Sequence, residues 1–246
     1  MNALFKPWSN TLARLSLAVV ALGAVGTLGG MMLYVRSPLF TQVGDPIEQP
    51  VQFDHRHHVA EVGIDCRYCH TQVEKAASAG YPPTAICMNC HEQIWNKSPK
   101  LAPVREAFFT NTPIQWEKVY KLPHYVFFNH SIHVAKGVGC ATCHGRVDTM
   151  AAVEKYSSLT MGWCLDCHRN PENYLRPKEE VFNLKWEAPT SMEAAQKELL
   201  SHGIAKDAAD AQQKLALNSD PKIAFGLALK DVNGVHTRQS CSTCHR

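Results

Sequence analysis

The sequence predicts a mainly α-helical protein with extensive loops, carried on a single N-terminal transmembrane helix. Residues 15–35 form an uncharged, mostly apolar run of 21 residues. Few stretches alternate between apolar and polar residues as long strands do. Ten cysteines fall into five pairs of identical spacing between residues 66 and 244. This repetition indicates short helices and loops that are held together at five similar sites.

The apolar run is bounded by Arg14 and Arg36 and is long enough to cross a bilayer as a helix. A cleaved secretory signal is the alternative, although its apolar core is usually shorter. Lys6 and Arg14 precede the run and favour an N-terminus on the cytoplasmic side. We predict a cytoplasmic tip and transmembrane helix over residues 1–36, followed by a linker over residues 37–52 that contains three prolines.

Each cysteine pair has two residues between its members and is followed at once by a histidine. This C-x-x-C-H pattern is typical of covalent attachment of haem c, in which two thioethers fix the porphyrin and the histidine binds the iron. We therefore predict five haems c. The motifs, numbered first to fifth along the chain, are Cys66, Cys69 and His70; Cys87, Cys90 and His91; Cys140, Cys143 and His144; Cys164, Cys167 and His168; and Cys241, Cys244 and His245.

Zinc is the main alternative for these cysteines. The first two pairs are separated by 17 residues and the third and fourth by 20, spacings that also suit four-cysteine zinc sites. Such a site has no use for a histidine after every pair, and five pairs leave one unmatched. A disulfide framework leaves the histidines equally unexplained, so haem is the better interpretation.

A low-spin haem needs a second axial ligand, which is histidine or methionine. The pattern F-x-H-x-x-H occurs before the first motif and again before the third, and histidines three apart share one face of a helix. We predict these four as distal ligands: His55, His58, His130 and His133. For the fifth haem Met150 and Met161 are candidates, which the sequence does not separate from His57 or His236. His124 and His202 are interpreted as ordinary histidines.

The two F-x-H-x-x-H patterns are offset by 75 residues, which indicates a duplicated two-haem unit. We predict a haem domain over residues 53–246, with haem pairs at about 53–95 and 127–180 and a last site at 241–245. Residues 190–230 lack cysteine and are interpreted as a peripheral helical hairpin. Its first helix would begin at a capping box, Thr190-Ser191-Met192-Glu193, and end at Gly203.

Long segments around the motifs resemble the pentahaem cytochrome c subunit of bacterial alternative complex III, as does the single N-terminal span. The segments are FDHRHHVAEVGIDCRYCH, AGYPPTAICMNCH, VFFNHSIHVAKGVGCATCHGRVD, MGWCLDCHRNPENYLRP and SCSTCHR. The stretch at about 190–230 is longer than expected for that family. The resemblance implies a multihaem cytochrome c fold of class III or c7-like modules, in which short helices and loops surround the haems.

The resemblance also implies a role in the bacterial cytoplasmic (inner) membrane, with the haem domain on the periplasmic side. There the chain would relay electrons from an iron-sulfur subunit to a periplasmic cytochrome or a terminal oxidase. Expected partners are polytopic quinol-binding subunits, a monohaem cytochrome and the lipid bilayer. Haem attachment outside the cytoplasm gives the same orientation.

An electron-transfer subunit needs no catalytic side chains of its own, and we predict none. The alternative is a self-contained, membrane-anchored multihaem quinol dehydrogenase that feeds a periplasmic reductase. A reductase acting on a small molecule needs an iron with an open site, which the surplus of histidines argues against. The net charge of +3 is modest and the Lys and Arg residues are dispersed, so nucleic acid is not an expected partner.

Overall fold

The computed structural model describes residues 5–245. Residues 1–4 of the predicted cytoplasmic tip and Arg246, at the end of the predicted haem domain, lie outside the described residues. The chain divides into two compact units, Met1–Gly44 and Asp45–Arg246. Each unit is described by itself below.

The first unit contains one long helix, α1 (Ser9–Tyr34), and a single turn, α2 (Pro38–Thr41). With 26 residues, α1 is about 39 Å long, against a bilayer hydrocarbon core of about 30 Å. None of its residues is buried. Within residues 5–245, α1 is the one helix long and apolar enough to cross a membrane.

The second unit is built from short helices. Those that carry motifs or predicted distal histidines, with the connecting helix α5, are α3 (Cys66–Cys69), α4 (Thr84–His91), α5 (Ala102–Phe109), α6 (His130–Ala135), α7 (Cys140–His144) and α8 (Met161–Arg169). Three further helices and the last motif follow as α9 (Met192–Ser201), α10 (Ala208–Leu215), α11 (Pro221–Val232) and α12 (Cys241–Cys244).

Short turns connect these helices. One is a π-helical turn, Arg56–Glu61, and the others are 3-10 turns at Pro99–Leu101, Val147–Thr149, Pro171–Asn173 and Lys178–Glu180. Across residues 5–245 the only extended pairings are two isolated bridges, Pro46 with Glu154 and Val138 with Leu175. The predicted fold class, mainly helical with extensive loops and one N-terminal apolar helix, is confirmed.

The largest cluster of buried apolar residues lies in α9, α10 and α11. The three helices contact one another, and α11 also packs on the turn Pro171–Asn173, where Lys230 forms an ion pair with Glu172 at 2.9 Å. The cluster consists of Leu175, Ala195, Leu199, Ala205, Ala211, Leu215, Ala224, Phe225, Ala228 and Leu229. Burial of this apolar surface makes the segment a packed three-helix core.

The prediction of a peripheral hairpin at 190–230 was therefore wrong. The segment forms three helices, because Asp207 and Asp220 each accept backbone N–H bonds and start a further helix. It is also not peripheral, since α11 packs on the turn Pro171–Asn173, which follows the fourth motif. The predicted ends of the first helix are close: Ser191 is its N-cap, and Gly203 follows its C-cap with φ +64°.

Few apolar side chains are buried around the first two motifs. The second buried cluster consists of Val51, Met88 and Val104, with Ile114 and Trp116 among the partly buried residues packed against it. Loops connect most of the motif helices. The first two motifs therefore have only this small apolar cluster beside them.

Candidate functional site

All five cysteine pairs lie on helices. The first, third and fifth pairs open the single-turn helices α3, α7 and α12, while the second and fourth lie near the C-terminal ends of α4 and α8. Residues i and i+3 of a helix share one face. Both sulfurs of each pair therefore face the same side, and the motif histidine directly follows the second cysteine.

The cysteine environments disfavour thiolates. Burial raises the pKa of Cys140 to about 11. For Cys143, burial and then the neighbouring Cys167 and Cys140 raise the pKa to about 12. Burial and then Cys164 raise that of Cys167 to about 11. A thioether is uncharged and is buried without this electrostatic cost. Among residues 5–245 no group of three or more His, Cys, Asp or Glu side chains is placed to hold a metal ion, as a four-cysteine zinc site requires.

Four motif histidines are held in one orientation by main-chain carbonyls. In each, ring Nδ1 donates to a backbone oxygen: His70 to Gly80 at 2.9 Å, His91 to Ile94 at 3.0 Å, His168 to Arg238 at 2.9 Å and His245 to Tyr125 at 3.1 Å. A carbonyl only accepts, so Nδ1 carries the hydrogen. Nε2 of the neutral ring then presents its lone pair to a metal.

Three of the four predicted distal histidines are oriented in the same way. Nδ1 of His58 donates to the carbonyl of Asp54 at 2.8 Å, that of His130 to Ala77 at 2.8 Å, and that of His133 to Asn129 at 2.7 Å. Nδ1 of His55 is buried without a hydrogen-bond partner among the described residues. His58, His130 and His133 thus present Nε2 to a metal, as the four motif histidines do.

Distal and motif histidines face each other in pairs. The ring centroids are 6.1 Å apart for His58 and His91, 6.4 Å for His130 and His144, and 6.1 Å for His133 and His168. Two imidazoles bound to one metal at about 2 Å per bond, each with its centroid about 1.1 Å behind the nitrogen, are separated by about 6.2 Å. Each ring pair therefore has the spacing that one iron requires.

The remaining distal histidine, His55, lies close to His70. Burial first, and then the charges of His70 and His58, lower the pKa of His55 to about 4. Burial likewise lowers the pKa of His144 to about 4, with smaller effects of His130, His70 and His55. Both rings are neutral near pH 7, the form that binds a metal.

The phenylalanine of each F-x-H-x-x-H pattern packs on both of its histidines. The Phe53 ring lies 4.7 Å from that of His55 and 4.2 Å from that of His58. In the second pattern the Phe128 ring lies 4.7 Å from that of His130 and 4.6 Å from that of His133. One aromatic ring thus fixes two predicted ligands in each repeat.

The other candidate ligands are arranged differently. Met161, the first residue of α8, is 69% exposed and lies one turn before Cys164, and the half-buried Met150 follows the turn Val147–Thr149. Nδ1 of His57 lies 2.7 Å from a Glu61 carboxylate oxygen. His202 contacts Glu179 and Glu198, and His236 is exposed.

His124 was predicted to be an ordinary histidine, and its chain neighbour Tyr125 contacts the fifth motif. Nδ1 of His245 donates to the carbonyl of Tyr125, and the rings of these two residues are 5.7 Å apart. His124 itself is exposed. No signal in the sequence predicted the contact between Tyr125 and His245, because Tyr125 lies outside the F-x-H-x-x-H pattern.

Arg176 was also missed. It is 7% exposed, its Nε is buried without a partner, and it makes no ion pair within residues 5–245. The guanidinium lies 5.0 Å from the centroid of the Trp186 ring. On the other side it contacts Gly139, where an added Cβ would come within 2.0 Å of Nε. A buried positive charge therefore lies beside Cys140 of the third motif.

No protein-family model matches the chain. A relative is the multihaem cytochrome c subunit of menaquinone reductase from Nitratidesulfovibrio vulgaris, which is 32% identical over 149 residues. The match covers 52% of this chain and 70% of that protein.

Proposed function

The chain belongs to the family of multihaem cytochromes c that includes this menaquinone reductase subunit, and on that basis we propose that it is an electron-transfer subunit of a membrane respiratory complex that acts on quinones. Its cofactor is covalently bound haem c. The observation that carries the proposal is the set of ring pairs 6.1 to 6.4 Å apart. Haem c supplies reversible one-electron oxidation and reduction of its iron.

We assign five haems, one to each C-x-x-C-H motif. The cysteines would form the thioethers and His70, His91, His144, His168 and His245 the first axial bonds. The second axial ligands of the first four sites would be His55, His58, His130 and His133, in that order. In each repeat the first histidine of the pattern thus serves the next motif, and the second histidine serves the one after it.

For the fifth site we propose Met161 rather than Met150. Met161 lies one helical turn before Cys164 in α8, and α8 is near the fifth motif, since Nδ1 of His168 donates to the carbonyl of Arg238 at 2.9 Å. Met150 instead follows the turn next to the third motif. A methionine ligand raises the potential of a haem relative to histidine neighbours, which would make the fifth site the most oxidising.

The side chains around the sites hold the ligands in place. The Nδ1–carbonyl bonds fix the tautomer of the imidazoles, and such partners also raise ligand basicity. Phe53 and Phe128 restrict ring rotation by packing on two imidazoles each. A rigid set of ligands keeps both oxidation states in one geometry, so little reorganisation accompanies electron transfer.

We propose that α1 anchors the protein in the bacterial cytoplasmic membrane by a single pass and that the haem domain, residues 53–246, lies on the periplasmic side. The length and apolar composition of α1 support the anchor. Haem c is attached outside the cytoplasm, which supports the orientation. Residues 37–52 would act as the linker between the two parts.

The partners we propose are those implied by the resemblance to alternative complex III: an iron-sulfur subunit, polytopic quinol-binding subunits, a monohaem cytochrome and a terminal oxidase. Electrons would then move from quinol towards the periplasm. The relative is named as part of a menaquinone reductase, which favours a second candidate function in which electrons move from a periplasmic donor towards menaquinone. Neither direction requires catalytic side chains on this chain.

The test is purification of the tagged full-length chain from its native membrane. We expect a red protein with five haems per chain that brings polytopic and iron-sulfur subunits with it. Adding a quinol analogue to the complex, and separately a reduced periplasmic cytochrome, gives the direction of electron flow. A colourless chain would overturn the proposal, and a lone chain that oxidises quinol unaided would replace it by a self-contained quinol dehydrogenase.

A further inference from the structure

We propose that the five haem sites follow one another in space in the order second, first, third, fourth, fifth, so that the second and fifth sites are the ends at which redox partners exchange electrons. This order differs from the order of the motifs along the chain. The inference rests on the proposed function and assigns to it the two points of contact with partners. Each pair of sites that are neighbours in this order is connected by a separate set of residue contacts.

The second site is linked to the first. The amide Nδ2 of Asn89 donates to the hydroxyl of Tyr68 at 3.0 Å, and these residues occupy the same variable position of the second and first motifs. The distal histidine of the second site, His58, lies one turn after His55 of the first. Phe53 contacts both histidine rings.

The first site is linked to the third, although the second motif lies between them in the chain. Residues just after the first motif contact the distal histidine of the third site, since N–H and Nδ1 of His130 both donate to the carbonyl of Ala77, at 3.1 and 2.8 Å. The next residue, Ser131, donates its N–H to Ala76 at 3.2 Å. The turn Arg56–Glu61 also packs on Val147–Thr149, which follows the third motif.

The third site is linked to the fourth through α6. His130 and His133 are one turn apart on this helix, and their rings face those of His144 and His168 respectively. The fourth site is linked to the fifth, because Nδ1 of His168 donates to the carbonyl of Arg238, three residues before Cys241.

Exposure of the cysteines agrees with this order. Cys90 and Cys241 are exposed, whereas the other eight cysteines are partly buried. The exposed cysteines belong to the second and fifth motifs, the two proposed ends. The third motif lies in the middle of the order, with the three-helix core against it through Lys136 and Arg176.

The contact surface at each end is set by what surrounds the exposed cysteine. Near the second motif, Ile94 and Trp95 follow His91 and are 60% and 66% exposed. At the fifth site, Tyr125 and Phe127 lie against the motif and are 64% and 52% exposed. Aromatic residues are enriched in protein–protein interfaces, so these exposed side chains fit the docking of a protein redox partner at each end.

The test uses the detergent-solubilised holoprotein and a matched pair of variants on one turn, His55→Met and His58→Met. Each changes an axial ligand and therefore the potential of one haem, whether or not the methionine binds. Individual haem methyl signals are followed by NMR during redox titration. A neighbouring haem reports the change because its own titration curve shifts with the charge beside it.

We expect His58→Met to shift the curve of one other haem and His55→Met to shift the curves of two. If the sites followed the order of the chain, the counts would be reversed, which would overturn the inference. As a second measurement, exchange spectroscopy on half-reduced wild type should connect the second and fifth haems with one neighbour each. Loss of haem from the wild type would instead contradict the proposed function.

Discussion

Replacement of His58 by alanine tests the assignment of the axial ligands. The His58 ring is 6.1 Å from that of His91 and stacks on Phe53 at 4.2 Å. Its neighbour His57 is exposed, and its Nδ1 lies beside Glu61 instead. Alanine at position 58 should therefore open one coordination position, while alanine at position 57 should open none.

The expected magnitude follows from the site count. One haem in five would lose its second histidine, so about one fifth of the low-spin signal should become high-spin. That haem should bind about one carbon monoxide per chain in its reduced form, since an iron with an open position binds such ligands. The His57→Ala variant should keep the wild-type spectrum and bind no carbon monoxide.

The assay is visible and EPR spectroscopy of both variants at equal haem content, followed by titration with carbon monoxide. Added imidazole should restore the low-spin spectrum of His58→Ala, because it replaces the missing side chain. Carbon monoxide binding by His57→Ala, with none by His58→Ala, would refute the pairing of His58 with His91.

Three further predictions concern the surroundings of the sites. Arg176→Met should lower the potential of the third haem by tens of millivolts, since a unit charge about 10 Å away at a dielectric constant of about 20 contributes about 1.7 kcal/mol. The same change at the exposed Arg169 should have little effect in the same potentiometric titration. Phe225→Ala should lower the free energy of unfolding by about 3–5 kcal/mol in urea, since Phe225 is 1% exposed, and leave the haem spectrum unchanged. The hydrogen bond from Arg146 lowers the pKa of Asp148 below its ordinary 3.8. This carboxylate therefore stabilises the fold above about pH 4 and ceases to do so as the pH falls through its folded pKa. The difference in melting temperature between wild type and Asp148→Asn should therefore disappear as the pH falls through the folded pKa of Asp148.

The histidines proposed as distal axial ligands could be picked out from the sequence because their spacing repeats. The pattern F-x-H-x-x-H occurs twice. In the structure the rings of His58, His130 and His133 each lie opposite the ring of a motif histidine, because the two histidines of a pattern are on one helical turn. The start of α9 at Ser191 could also be predicted, because an N-cap side chain binds N–H groups within one turn of itself in the sequence.

Other features had no local signal. The carbonyls that orient the imidazoles, such as those of Gly80 and Arg238, belong to the main chain, and any residue type supplies them. Helix α10 was missed because it buries only Ala211 and Leu215, too few apolar residues for a clear period. Arg176 is a single charged residue in a loop, and its burial depends on Trp186 and Gly139, which are distant in sequence.

Each histidine pattern precedes, in the sequence, the two motifs that it is proposed to serve. This order has a consequence for haem attachment during export. A chain exported from its N-terminus would present residues 53–95 as a contiguous stretch with all side chains needed for two haems. The second stretch, 127–180, follows with its own set. Maturation could then proceed one module at a time, and the site at His245, which depends on Tyr125 and on the last residues to emerge, would be completed last.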